Sequence, residues 1–106
     1  MGKSTIGELE ELVLIIVAIL QDNAYGVNVM TEIEEQTDRK VNISAIHTTL
    51  DRLENKGFLT SQLGGATATR GGRRKRIFGV TAPGYKLIAE IKAMRTKLYE
   101  QLPGVV

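Results

Sequence analysis

Nine consecutive apolar residues, Leu12 to Leu20 (LVLIIVAIL), constrain this chain more than any other stretch. A membrane span needs about 20 such residues. The run also follows Glu8, Glu10 and Glu11 rather than the basic flank of a signal peptide. It therefore reads as a helix buried in protein. The spacing predicts a helix from Gly7 to Asp22, with Leu9, Leu12, Val13, Ile16, Val17 and Leu20 as its main stripe and Leu14, Ile15 and Ile19 widening it. A helix apolar over so much of its circumference must be covered on more than one side. A lone domain of 106 residues can hardly do this, and a second chain is one candidate cover.

At that length the chain is one domain, and with 42% hydrophobic residues and 2 prolines it can build a core. Zero cysteines exclude a disulfide framework, a thiol nucleophile and a thiolate metal site, and 1 histidine cannot build a zinc site. A reducing compartment fits, and the cytoplasm is expected. No convergent acid, base or nucleophile set is visible. The glycine pairs beginning at Gly64 and Gly71 lack the strand-glycine-helix context of a nucleotide loop. Neither an enzyme nor a bound cofactor is expected.

Val41 to Gly57 (VNISAIHTTLDRLENKG) carries the clearest functional pattern. Asn42 is placed to cap a helix, Ile43, Ile46, Leu50 and Leu53 recur at three- and four-residue spacing, and Gly57 ends the run. Ser44, Thr48, Arg52 and Asn55 fall opposite that stripe, with Ala45, His47 and Asp51 on its flanks. A helix enters the DNA major groove only if its leading turns are slim and carry groups that bond base edges or touch thymine methyls. Serine, alanine, histidine and threonine meet both conditions. An ordinary amphipathic surface helix shows the same period, so the neighbours decide. Upstream, NAYG at 23–26 reads as a turn, and Val27, Met30 and Ile33 carry a shorter helix toward Asp38. Two short helices with a brief connection make a helix-turn-helix.

Downstream the period changes. Phe58 to Leu63 and Ile77 to Val80 read as two strands around a glycine- and threonine-rich tip. Arg70, Arg73, Arg74, Lys75 and Arg76 crowd between them, and guanidinium forks bind phosphates pairwise. A hairpin directly after a recognition helix is a wing. A flexible solvated loop or a localisation signal has the same composition, but neither explains the placement between two strand-like runs. Charge supports the wing. Residues 1–54 hold four bases and ten acids, net −6; residues 55–106 hold ten bases and two acids, net +8. One electropositive face aimed at a polyanion is the implication.

Thr81 is placed to cap a last helix, with Pro83 in its first turn and Pro103 and Gly104 beyond its expected end near Leu102. Leu87, Ile91, Met94, Leu98 and Leu102 form a narrow seam on it, closer to a coiled-coil strip than to a core-facing stripe. The seam either packs into its own domain or joins a second chain. The over-apolar first helix favours dimerisation.

With these segments in order, the chain resembles the PadR family of transcriptional regulators. The resemblance rests on LEELVLIIVAIL at 9–20, AYG at 24–26, LDRLENKG at 50–57 and GGRRKRIFGVTAPG at 71–84. It implies a mainly α fold with a small antiparallel hairpin: a winged helix-turn-helix DNA-binding domain over 1–80 and a C-terminal dimerisation helix over 81–106. The implied function is repression from an inverted-repeat operator on double-stranded DNA, bound as a homodimer and relieved by a small-molecule effector.

Carried over by position, Asn42, Ser44, Ala45, His47 and Thr48 meet DNA and Tyr25 contacts a phosphate, while the outward face adds Arg52. His47 departs from the tyrosine usual in the family, so it either makes a different contact or packs on the flank. Only Tyr85 and Tyr99 on the last helix could face a flat aromatic effector, whose identity stays open. A winged-helix module serving protein assembly or RNA is the rival reading, since fold alone does not name the polymer.

Overall fold

The computed structural model describes residues 6–64 and 75–104. Helix α1 (Glu8–Leu20) is the element on which the others pack: α2 (Gly26–Thr37), α3 (Ile43–Asn55), strand β2 (Arg76–Val80) and α4 (Ala82–Glu100) all contact it. Its start is held by Glu10, whose carboxylate accepts the Gly7 amide at 2.7 Å, and three acids occupy its first turn, where the helix dipole favours them. Val13, Leu14, Ile16 and Val17 are buried. The chain's own elements therefore cover much of the apolar run, leaving Ile19 exposed and Leu12 and Ile15 half-buried. The expectation that a lone domain of this size can hardly cover such a helix is corrected to that extent.

The helix stops at Leu20, short of the Asp22 expected from the pattern, because Gln21 turns to a positive φ of 54° while its amide still reaches the Val17 carbonyl. A single 3-10 turn, Gln21–Asn23, then reverses the chain into Ala24, which is fully buried. Helix α2 follows from Gly26, burying Val29 and Ile33, and ends at Asp38 in the left-handed region.

Local chemistry sets the limits of α3. The Asn42 side-chain oxygen accepts the Ala45 amide at 2.8 Å at one end. At the other, Gly57 (φ 88°) closes the helix as its amide bonds Glu54 and the Phe58 amide bonds the Leu53 carbonyl, both at 3.0 Å. These two hydrogen bonds turn the chain into β1 (Leu59–Leu63), one residue later than Phe58, which is used in that cap. Ile46, Leu50 and Leu53 are fully buried, and Thr49 is buried with its hydroxyl bonded to the Ala45 carbonyl. Ile43 is half-buried.

Strands β1 and β2 pair antiparallel in the register Leu59↔Val80 to Leu63↔Arg76, and Gly64 and Lys75 add one more backbone bond beyond it. The Phe78 amide donates to the Ala24 carbonyl at 3.0 Å, tying the hairpin to the turn before α2. Thr81 fastens the return: its hydroxyl donates to the Gly57 carbonyl and accepts the Gly84 amide as the cap of α4. Gly84 is needed there, since a Cβ would collide with the Phe58 carbonyl oxygen. The first turns of α4 join the core through Leu87, whereas every residue from Lys92 to Gly104 is exposed. Farther along α4 a bidentate ion pair ties it to α1, Arg95 Nε and Nη2 donating to Glu11 at 3.1 and 2.8 Å.

Candidate nucleic-acid interface

With Ile46, Leu50 and Leu53 committed to the core, the period of α3 leaves Ser44, His47, Thr48, Asp51 and Arg52 exposed on one side. Ser44, His47 and Thr48 sit on the first two turns, where the helix is slimmest. Ala45 is half-buried, and the Asn42 oxygen is spent on the cap, while its amide nitrogen has no partner among the described residues and can donate elsewhere.

Neighbouring elements frame this side. The His47 imidazole lies against the first residue of α2: a Cβ built on Gly26 would stand 2.6 Å from His47 Cε1, so only glycine leaves the ring where it is. Tyr25, half-buried beside Gly26, carries the Lys75 ammonium 5.0 Å from its ring centroid, a cation–π contact between the wing and the turn before α2. Contacts thus run from His47 on the recognition helix to Gly26, and from the adjacent Tyr25 to Lys75 on the wing.

Arg76 is placed differently. The sequence pattern puts the whole basic run in the loop before a strand beginning at Ile77, but Arg76 is the first residue of β2 and its Nη1 donates to Ser61 Oγ at 2.9 Å. Ser61 in turn lies 2.8 and 3.0 Å from the carboxylate oxygens of Glu54 on α3. Arg70, Arg73 and Arg74 lie outside the described residues.

Glu10 secures the far end of α3. Burial alone would raise its carboxyl, but the Gly7 amide, the Lys56 ammonium at 3.0 Å and the Arg52 charge together hold it below the ordinary carboxylate value.

The seam on α4 divides. Leu87 is 9% exposed and belongs to the core of its own chain, which corrects its place among the expected dimer residues, and Ile91 is half-buried against that core. Met94, Leu98 and Leu102 stand 47%, 54% and 49% exposed. Between α1 and α4 runs a largely apolar cleft of about 400 Å³, lined by Leu14, Ile15, Ile88, Ile91 and Tyr99 and edged by Glu11, Lys92 and Arg95. Tyr85 lines a different groove, between the hairpin and the end of α1 with its following turn, at Val17, Gln21 and Asp22, so the two tyrosines do not converge within one chain.

Sequence reasoning missed Gly26 as the seat of His47 and missed Glu54 and Ser61 as partners of Arg76. The glycine after Tyr25 was visible as a turn signal; the other two carried none.

A family model described as "Transcriptional regulator PadR-like family" matches residues 15–90. The chain belongs to the PadR-like family. Among solved structures, this PadR-like chain is similar to a PadR-like transcription factor from Bacteroides fragilis, with TM-score 0.74 and 21% identity over 87% of this chain and 84% of that one. It is also similar to a PadR family regulator from Clostridium difficile (TM-score 0.69, 23% identity, covering 90% and 93%). A third likeness is to a PadR-like regulator from Bacillus cereus (TM-score 0.67, 22% identity, covering 92% and 93%). No curated protein matches the sequence. These likenesses support the winged-helix fold, and family membership makes the chain a transcriptional regulator rather than an enzyme. No helix among the described residues is long and apolar enough to cross a membrane.

Proposed function

We propose that the chain is a repressor that binds an inverted-repeat operator as a homodimer. The observation that carries this reading is the slim polar side of α3, with Ser44, His47, Thr48 and Arg52 exposed together and bordered by Tyr25 and Lys75. Ser44, Ala45, His47 and Thr48 face base edges and thymine methyls in the major groove. Asn42, through its free amide, and Tyr25 take backbone phosphates, and Arg52 reaches the backbone from the far end of the helix. Arg70, Arg73, Arg74 and Lys75 supply the wing's charge to the flanking phosphates.

A single recognition helix reads only a few base pairs, so a second copy related by a two-fold axis is needed for an operator, with half-sites about one helical turn apart. Met94, Leu98 and Leu102, with Ile91 at the margin, meet that copy. An effector is placed in the cleft between α1 and α4, where a molecule touching both helices would change how the dimer spaces its recognition helices.

Selection from random duplexes tests the reading. Recovery of an inverted repeat with half-sites about 10 base pairs apart supports it; enrichment of RNA or of no sequence at all would move the chain to the assembly or RNA reading.

A further inference from the structure

We infer that Glu54 and Ser61 are positioning residues for DNA binding, holding Arg76 and with it the wing at a set angle to the recognition helix. This rests on the proposed DNA-binding role. Glu54 lies on the last turn of α3, half-buried, and Ser61 and Arg76 lie on one face of the hairpin, diagonal across the strands. The three groups can be ordered in only one way. A guanidinium only donates and a carboxylate only accepts, so the Ser61 hydroxyl must send its single proton to Glu54 and receive Arg76 on a lone pair. Both bonds involve a charged partner, which makes them the stronger kind.

Their location gives them leverage. At the base, the hairpin is fixed by Thr81 on Gly57 and by Phe78 on Ala24. A two-stranded ribbon is barely stable alone and twists easily. Farther out, the tie from Glu54 through Ser61 to Arg76 joins the wing to the helix that reads the bases, and Lys75, the next residue, rests on Tyr25. Arg76 therefore acts on the wing through its bond to Ser61 on the protein surface, and the phosphates are left to its neighbours. Fixing the ribbon beforehand removes an ordering cost that binding would otherwise carry.

The sign of one substitution separates this from simple electrostatics. Glu54 is an acid on a DNA-facing element, so removing it should strengthen binding if charge alone mattered. If Glu54 positions the wing, removal weakens binding. The experiment measures the affinity of full-length wild type, Glu54→Ala, Ser61→Ala, Ser61→Thr and the Glu54→Ala/Ser61→Ala double variant. Two duplexes are used at one salt concentration: the selected operator with its flanks, and the same operator trimmed of the wing's flanking base pairs.

Each alanine variant should lose about tenfold on the long duplex, as expected for one hydrogen bond to a charged group. Neither should lose measurably on the short one. The double variant should lose no more than either single, and Ser61→Thr should restore binding. Should Glu54→Ala melt early, the Ser61 pair alone carries the comparison. Tighter binding by Glu54→Ala, additive losses, or equal losses on both duplexes overturn the positioning role. Wild type that prefers no sequence would instead overturn the proposed function beneath it.

Discussion

Replacing Leu98 by Asp should split the dimer while sparing the fold of each chain. Leu98 lies on the part of α4 that extends past the body and is 54% exposed in the single chain. Burying a leucine side chain completely contributes about 1.5–3 kcal/mol, so about half of that remains to be gained against a partner, and two copies contribute about 1.5–3 kcal/mol per dimer. Losing it raises the dissociation constant by roughly 10- to 100-fold. An unpaired carboxylate forced into the same contact adds several kcal/mol more. The free chain loses almost nothing, because the site already faces water.

Leu87→Ala, 11 residues earlier on the same seam, should behave in the opposite way. It removes a buried side chain at about 2–5 kcal/mol and lowers Tm by on the order of 10 °C or more. Sedimentation across a concentration series, paired with thermal melting of each variant, reads both effects. A Leu98→Asp protein that sediments as wild type at every concentration would refute the reasoning, since no dimer contact would then involve the free half of α4.

Thr48→Ala should weaken operator binding by about 1–3 kcal/mol with little change on random duplex, because a lost base-edge contact costs discrimination; equal losses on both would make Thr48 a backbone contact. Gly26→Ala should leave the melting temperature near that of wild type, since alanine suits a helix's first turn, yet displace the His47 ring. Operator affinity should therefore change as much as in His47→Ala, and binding indistinguishable from wild type would show that the ring's position is immaterial. Glu10 contributes stability that is fully present above the carboxyl's unfolded value near 4.5 and is lost as pH falls through its lowered folded value. Glu10→Gln should thus be less stable than wild type at neutral pH and lose less on acidification; parallel pH profiles would exclude Glu10 as the source.

The elements that were legible in the sequence are those whose ends are decided within a few residues. Asn42, Gly57 and Thr81 each announce a helix end by side-chain chemistry or by tolerance of positive φ, and all three act as such. The buried side of α3 followed from period alone.

What escaped was decided across distance. Leu87 and Leu98 share one spacing and one residue type, and only the point at which α4 leaves α1 separates core from free surface. Arg76 looked like its neighbours in a basic run until the strand register placed it diagonal to Ser61, with Glu54 opposite. Gln21 interrupted an otherwise uniform helical pattern because the chain must reverse to bury Ala24. For the candidate site the same division holds. The outward residues of α3 were visible from their phase, whereas the Gly26 seat of His47 joins two helices that periodicity treats separately.

The side of α3 bearing Ser44, His47 and Thr48 is the centre of the account, and the ratio of operator to random-duplex affinity at fixed salt tests it most directly. Wild type should show a ratio of about 10³ or more. A variant with all three residues changed to alanine should bring that ratio close to one while keeping its affinity for random duplex, which the wing and other phosphate contacts supply. A triple variant that retains the wild-type ratio would contradict the assignment of α3 as the reading helix.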